Sequence, residues 1–99
     1  MKKYFLCKLI PPQLTFAQDM TDAEAKLMQQ HVEYWKGLME KGLVVVFGPV
    51  ADPTGTYGVA ILELEEEDAN ALGMNDPTMK ANVGFHFEVY PMDRAVLRK

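Results

Sequence analysis

The sequence predicts an α+β domain of element order β-α-β-β-α-β, the ferredoxin-like arrangement in which a four-stranded antiparallel sheet carries two helices on one face. Three observations predict it. A first apolar run, KYFLCKLI, is followed by a long amphipathic pattern of helical period, Leu27 to Met39. Two further apolar runs, LVVVFGPV and the segment from Tyr57 to Leu64, succeed each other across a turn-rich loop. A shorter helical pattern and a last alternating run, FHFEVYP, close the chain.

Each element has its own signal. Residues 3–10 read as a strand, closed by Pro11-Pro12, which cannot continue a ladder. The segment PPQLTFAQDM reads as a loop. Thr21 and Glu24 have the Thr-x-x-Glu spacing of a capping box and open the long helix. At about 100° per residue, Leu27, Met28, His31, Val32, Trp35, Leu38 and Met39 share one face, while Gln29, Glu33, Lys36 and Gly37 face away. Gly42 supplies the stop after Lys41. Asp52-Pro53 and Thr54-Gly55 give the connection between the second and third strands its turn chemistry. The stretch EEED opens the second helix, with Ala69, Ala71 and Leu72 as its expected buried side. Asn75-Asp76-Pro77 ends it, because a residue before proline is pushed out of the α region. A short turn or helix through Lys80 leads to the last strand.

Strict alternation sends Leu43, Val45 and Phe47 to one side of the second strand and Val44 and Val46 to the other, and both sets are apolar. The first strand repeats this, with Phe5, Cys7 and Leu9 opposite Tyr4, Leu6 and Ile10. Helices cover only one face in this topology, and a large bare apolar face is rare on a monomer. A homodimer joined through the open sheet face is therefore expected. A local segment is the alternative cover, and few residues are left over to provide it.

Composition limits the function. Ninety-nine residues make one domain, 1–99, without repeats or a composition shift. A net charge of −4 with no basic stripe argues against nucleic acid. The uncharged run Gly42 to Ala51 is half the length a membrane helix needs, so no membrane partner is expected. The start, Met1-Lys2-Lys3 then YFLCKLI, imitates a signal peptide, but Lys8 interrupts it and no cleavage site follows. One cysteine, Cys7, cannot form an internal disulfide, and a reduced, cytoplasmic setting is expected.

His31 is the main candidate for chemistry. Leu27 and Trp35 lie one turn away on either side, an apolar setting that favours a neutral, proton-accepting ring. The competing reading is a core histidine whose N–H meets a carbonyl. Asp76 before Pro77 has the form of an N-cap with a first-turn proline, and a carboxylate there is also able to orient an imidazole through its Nδ1–H. His86, between Phe85 and Phe87, reads as a half-exposed strand histidine on the face of Glu88 and Tyr90. The acidic run Glu63 to Asp68 reads as a solvated helix start. No metal-ligand spacing, phosphate loop, dinucleotide fingerprint or nucleophile elbow is present, so no metal and no organic cofactor are expected.

FAQDMT at 16–21, HVEYW at 31–35, VVVFGPVADPTGTYG at 44–58 and the pair Asp76-Pro77 together resemble the YciI-like (YCII-related) family of small bacterial proteins. The resemblance covers nearly the whole chain. It implies a dimeric α/β barrel of ferredoxin-like subunits, with a histidine and an aspartate as catalytic pair, here His31 and Asp76. Some relatives remove halide from intermediates of chlorinated aromatic breakdown. The chain departs from the family in having Phe47 before Gly48-Pro49, where many relatives carry a small polar residue, and in reading TMKANVG after Asp76-Pro77.

Taken together, these readings lead to an expected cofactor-independent lyase or isomerase, dehalogenase-like in its use of a His–Asp acid/base pair on a small molecule. Trp35 and Phe47 would wall the ligand site, and the Gly48-Pro49 backbone would approach it closely. The alternative is a non-catalytic metabolite-binding or interaction module of the same fold.

Overall fold

The structure, a computed structural model, describes residues 1–98. The elements are β1 (Lys3–Ile10), α1 (Phe16–Asp19), α2 (Asp22–Glu40), β2 (Val44–Val50), β3 (Tyr57–Leu64), α3 (Ala69–Met74), α4 (Pro77–Lys80) and β4 (His86–Met92). The strands lie in the order β2-β3-β1-β4 with every neighbour antiparallel, so the βαββαβ expectation holds.

Local chemistry sets the ends of α2. The Glu24 amide donates to Thr21 Oγ1 at 3.2 Å, and the Thr21 amide donates to Glu24 Oε1 at 2.7 Å, a complete capping box. At the other end Gly42 takes φ 81°, its amide donates to the Met39 carbonyl, and the Leu43 amide donates to that of Leu38. This paired closure uses the left-handed conformation that glycine reaches without strain. It folds Leu43 back beside buried Leu38, and Met39, expected on the inner face, is instead 38% exposed.

Other expectations are corrected as well. The loop after β1 contains the short helix α1, tied by hydrogen bonds from Thr15 Oγ1 (2.6 Å) and Gln13 Nε2 (2.8 Å) to the Asp19 carboxylate. Its Phe16 is buried edge-on against Phe85, with ring centroids 5.2 Å apart. A four-residue helix with one apolar anchor has no period to read. In β2 the simple alternation fails because of a bulge: Val44 pairs with Leu62, but Val46 pairs with Ile61, leaving Val45 as an extra residue. Val44 and Phe47 consequently both turn toward the helices, while Val45 and Val46 stand exposed.

In α3 the glutamates precede the helix, and Asp68 caps it by accepting from the Asn70 amide at 2.9 Å. Ala69 is buried as expected, but Ala71 is exposed and Gly73 is the residue packed inside. A Cβ at Gly73 would lie 1.8 Å from Phe87 Cε2. Phe87 in turn stacks on Trp35, with centroids 6.3 Å apart. Gly73→Ala must therefore displace a ring in the core, at a cost of about 1–3 kcal/mol. Urea denaturation of this variant should show a lower midpoint with an unchanged slope; an unchanged midpoint would mean the ring moves freely.

The helix-facing side of the sheet forms two adjoining cores. One gathers Cys7, Ala60, Leu62 and Leu64 under Trp35 and Leu38; the other joins Leu9, Phe16 and Phe85. On the opposite side, strand register aligns Val46, Ile61, Leu6 and Tyr90 in a row across all four strands. Val46 and Tyr90 are about half exposed. His86 also lies on this side, exposed, opposite Ile10. Residues Ala95 to Arg98 turn back beside Tyr4 and Ile61 and leave Val96 fully exposed.

Candidate functional site

His31 and Asp76, 45 residues apart in the chain, meet through the packing of α2 on α4. Asp76 is the N-cap of α4. Its Oδ1 accepts from the Thr78 amide at 2.8 Å and from Thr78 Oγ1 at 2.8 Å, and Pro77 fills the first helical position. Its Oδ2 meets His31 Nδ1 at 2.6 Å and accepts from Trp35 Nε1 at 2.5 Å. The cap and the imidazole partner are thus the same carboxylate, with one oxygen assigned to each role.

Four donors around one carboxylate settle its charge. Asp76 is fully buried, and burial works to raise its pKa. Hydrogen bonds from His31, Trp35 and the Thr78 amide, with the nearby imidazole, outweigh burial and hold the carboxyl below the usual carboxylate value. An ionised carboxylate only accepts, so the proton between Asp76 and His31 belongs to Nδ1. The other ring nitrogen, Nε2, has no hydrogen bond to a described residue. No buried side-chain nitrogen or oxygen among the described residues lacks a partner, so Nε2 reaches open space. In the neutral ring it carries the free lone pair.

The imidazole borders a cavity of about 230 Å³ between α1, α2 and the ends of β2 and β3, lined also by Phe16, Met20, Met28 and Tyr57. His31, Phe47, Gly48 and Pro49 all line it. Trp35 is placed deeper. Its indole is 2% exposed, bonded to Asp76 and crossed at 89° by Tyr34, and it walls only a small recess behind His31. The Tyr34 hydroxyl donates to the Leu72 carbonyl at 2.5 Å and ties α2 to α3. Gly48 lines the cavity, and a Cβ there would meet no protein atom within 4 Å.

Sequence reasoning missed Thr78, which supplies two of the four donors, and the cavity walls from α1. Thr78 is legible only as the third residue of Asp-Pro-Thr, a spacing that suits a capped first turn. Cys7 lies under the recess, and burial pushes its thiol up to about 12, which keeps the sulfur protonated and unreactive at neutral pH. Among the described residues no three His, Cys, Asp or Glu side chains gather as a metal would require. No helix among them is long and apolar enough to cross a membrane.

Comparison with known proteins gives the following. The family description of the YCII-related domain matches residues 1–93. No curated protein matches the chain significantly. Among solved structures, an uncharacterised protein of Thermotoga maritima is similar at 13% identity and TM-score 0.54, over 94% of this chain and 100% of its own. A protein of unknown function from Nitrosomonas europaea is similar at 15% identity and TM-score 0.56, over 100% of this chain and 97% of its own. At such identities these likenesses concern the fold alone.

Proposed function

The chain belongs to the YCII-related domain family, and on that footing we propose that it is a cofactor-independent enzyme of lyase or isomerase type, acting on a small cyclic or unsaturated carbonyl compound. The observation that carries this reading is the 2.6 Å contact between His31 Nδ1 and a buried Asp76 whose pKa is lowered, with the imidazole at the wall of an apolar cavity. Asp76 fixes the tautomer. Nε2 takes a proton from carbon beside the carbonyl and returns it elsewhere, and the imidazolium formed in between is stabilised by the carboxylate at its back. The apolar walls offer the intermediate few competing hydrogen-bonding groups.

The test is deuterium exchange. A panel of cyclic ketones, enones and lactones is incubated with the protein in heavy water, and uptake beside the carbonyl is followed by proton NMR. Catalysed exchange with at least one compound is expected. Saturable binding without exchange across the panel would replace this reading by that of a metabolite-binding module.

We also propose that two copies join through the open sheet face. The apolar row Val46, Ile61, Leu6 and Tyr90 supports this, since it is continuous over four strands and half exposed at both ends. Light scattering should give twice the 11.2 kDa chain mass, and Val46→Lys should return the particle to a single chain. A wild-type particle of one chain mass at micromolar concentration would sink the assembly.

A further inference from the structure

The cavity beside His31 has a second compartment. A recess of about 20 Å³ adjoins it, and Leu9, His31, Phe47, Gly48 and Gly58 line both spaces. One water would fit the recess by size, but a buried water needs about three hydrogen-bond partners. The remaining walls are Cys7, Trp35, Val59, Ala60 and Phe87. The Trp35 N–H is already given to Asp76. The backbones of Cys7, Ala60, Leu9 and Gly58 face each other in the paired strands β1 and β3. Only the His31 ring and the weakly bonding Cys7 thiol are left to meet a water, fewer partners than it needs, so the recess suits an apolar atom group instead.

The outer cavity is equally selective about charge. Its lining includes no lysine, arginine, aspartate or glutamate; Lys8 sits over the Tyr57 ring, 4.8 Å from its centroid, and does not line the cavity. A carboxylate ligand would find no cation there and would face the charge of Asp76 behind the imidazole.

From this geometry we infer that Cys7, Gly58 and Ala60 set substrate specificity: the site takes an uncharged ring compound carrying one apolar substituent of about methyl size beside the atom that meets His31, and that substituent occupies the recess. The inference rests on the acid–base reading of His31. Gly58 supplies the selective variant. A Cβ there would touch only Leu9, at an ordinary 3.5 Å, and Gly58 lies where the recess and the outer cavity share a wall, so Gly58→Ala adds a methyl at that junction without disturbing the fold. Cys7 lines the recess and not the outer cavity, so Cys7→Ala enlarges the recess alone.

The experiment measures dissociation constants for cyclohexanone, 2-methylcyclohexanone, 2-ethylcyclohexanone and cyclohexanecarboxylate by amide chemical-shift titration of the full chain. Burying one methyl should make 2-methylcyclohexanone bind about fourfold more tightly than the parent ketone. The ethyl compound should bind at least about fivefold more weakly than the methyl one through overpacking. The carboxylate should leave the cavity resonances unmoved at concentrations that saturate with the ketones. In Gly58→Ala the methyl-to-parent ratio should fall to about one, and in Cys7→Ala the ethyl compound should bind nearly as well as the methyl. Equal affinities across the ketones, carboxylate binding as tight as ketone binding, no ketone binding, or variants that leave both ratios unchanged would each overturn the inference. Deuterium exchange without substituent preference would sink this inference and leave the acid–base reading standing; preference without exchange would do the reverse.

Discussion

Replacing Asp76 with alanine should cost about 3–5 kcal/mol of folding stability, as a loss of donors' partners in the interior rather than a loss of volume. The carboxylate accepts from His31 Nδ1, Trp35 Nε1 and both donors of Thr78, all within 2.8 Å, and Thr78 and Trp35 are themselves buried. Alanine leaves the indole N–H and the Thr78 donors with no acceptor where water does not reach. Asp76→Asn is the sharper variant. Its oxygen keeps the cap on Thr78, but its amide nitrogen then points hydrogens at the Trp35 N–H and at His31 Nδ1. The imidazole escapes by carrying its proton on Nε2 and accepting at Nδ1, while the indole has no such option. The expected result is a smaller destabilisation, about 1–3 kcal/mol, together with exchange of the two ring-nitrogen signals of His31 in nitrogen-15 NMR. An unchanged tautomer would show that Asp76 caps a helix and does nothing for the imidazole.

The sign of the pH dependence follows from the same carboxylate. Its pKa in the fold is lowered, so its stabilisation is fully present above the unfolded value of about 3.9 and is lost as pH falls through the folded value. Asp76→Asn should therefore flatten the acid limb of the stability profile by one proton. Asp19, Asp52, Glu63 and Glu67, whose pKa values are also lowered, remain to give the rest of that limb.

Where a feature depends on neighbours in sequence, the residues announce it. Thr21 and Glu24 identify the start of α2, Gly42 its end, and Asp76-Pro77 the cap of α4. The His31–Asp76 contact is of another kind, because it joins two elements, and sequence alone leaves each residue with a bland explanation. The bulge at Val45 is invisible for a simple reason: three successive valines look the same whichever of them is extra. Trp35 illustrates a third case. Its place on the inner face of α2 follows from helical period, but whether the indole edge meets a ligand or a carboxylate depends on a residue 41 positions away. The split of the second helical segment into α3 and α4 was signalled by proline; the choice of Gly73 rather than Ala71 for the interior was decided by the ring of Phe87.

Removing the imidazole should have the largest effect on activity. His31→Ala is expected to slow deuterium exchange by about 10²–10⁴-fold, the usual contribution of a positioned acid–base group. The fold should persist, because Asp76 keeps its bonds from Trp35 and Thr78 and loses only one charge-assisted partner, a change of about 1.5–3 kcal/mol. Loss of rate alone would not separate a chemical role from a packing one, so rescue decides it. The vacated space joins the outer cavity, and added imidazole has room to enter beside Asp76. Rate recovered in proportion to imidazole concentration, at unchanged stability, identifies a missing base. His31→Gln supplies the complementary control: its side-chain amide can donate to Asp76, yet it has no basic nitrogen. Exchange should stay as slow in that variant as in alanine even where stability returns. A rate within threefold of wild type in either variant would remove His31 from the chemistry and leave an apolar binding cavity with a structural histidine at its floor.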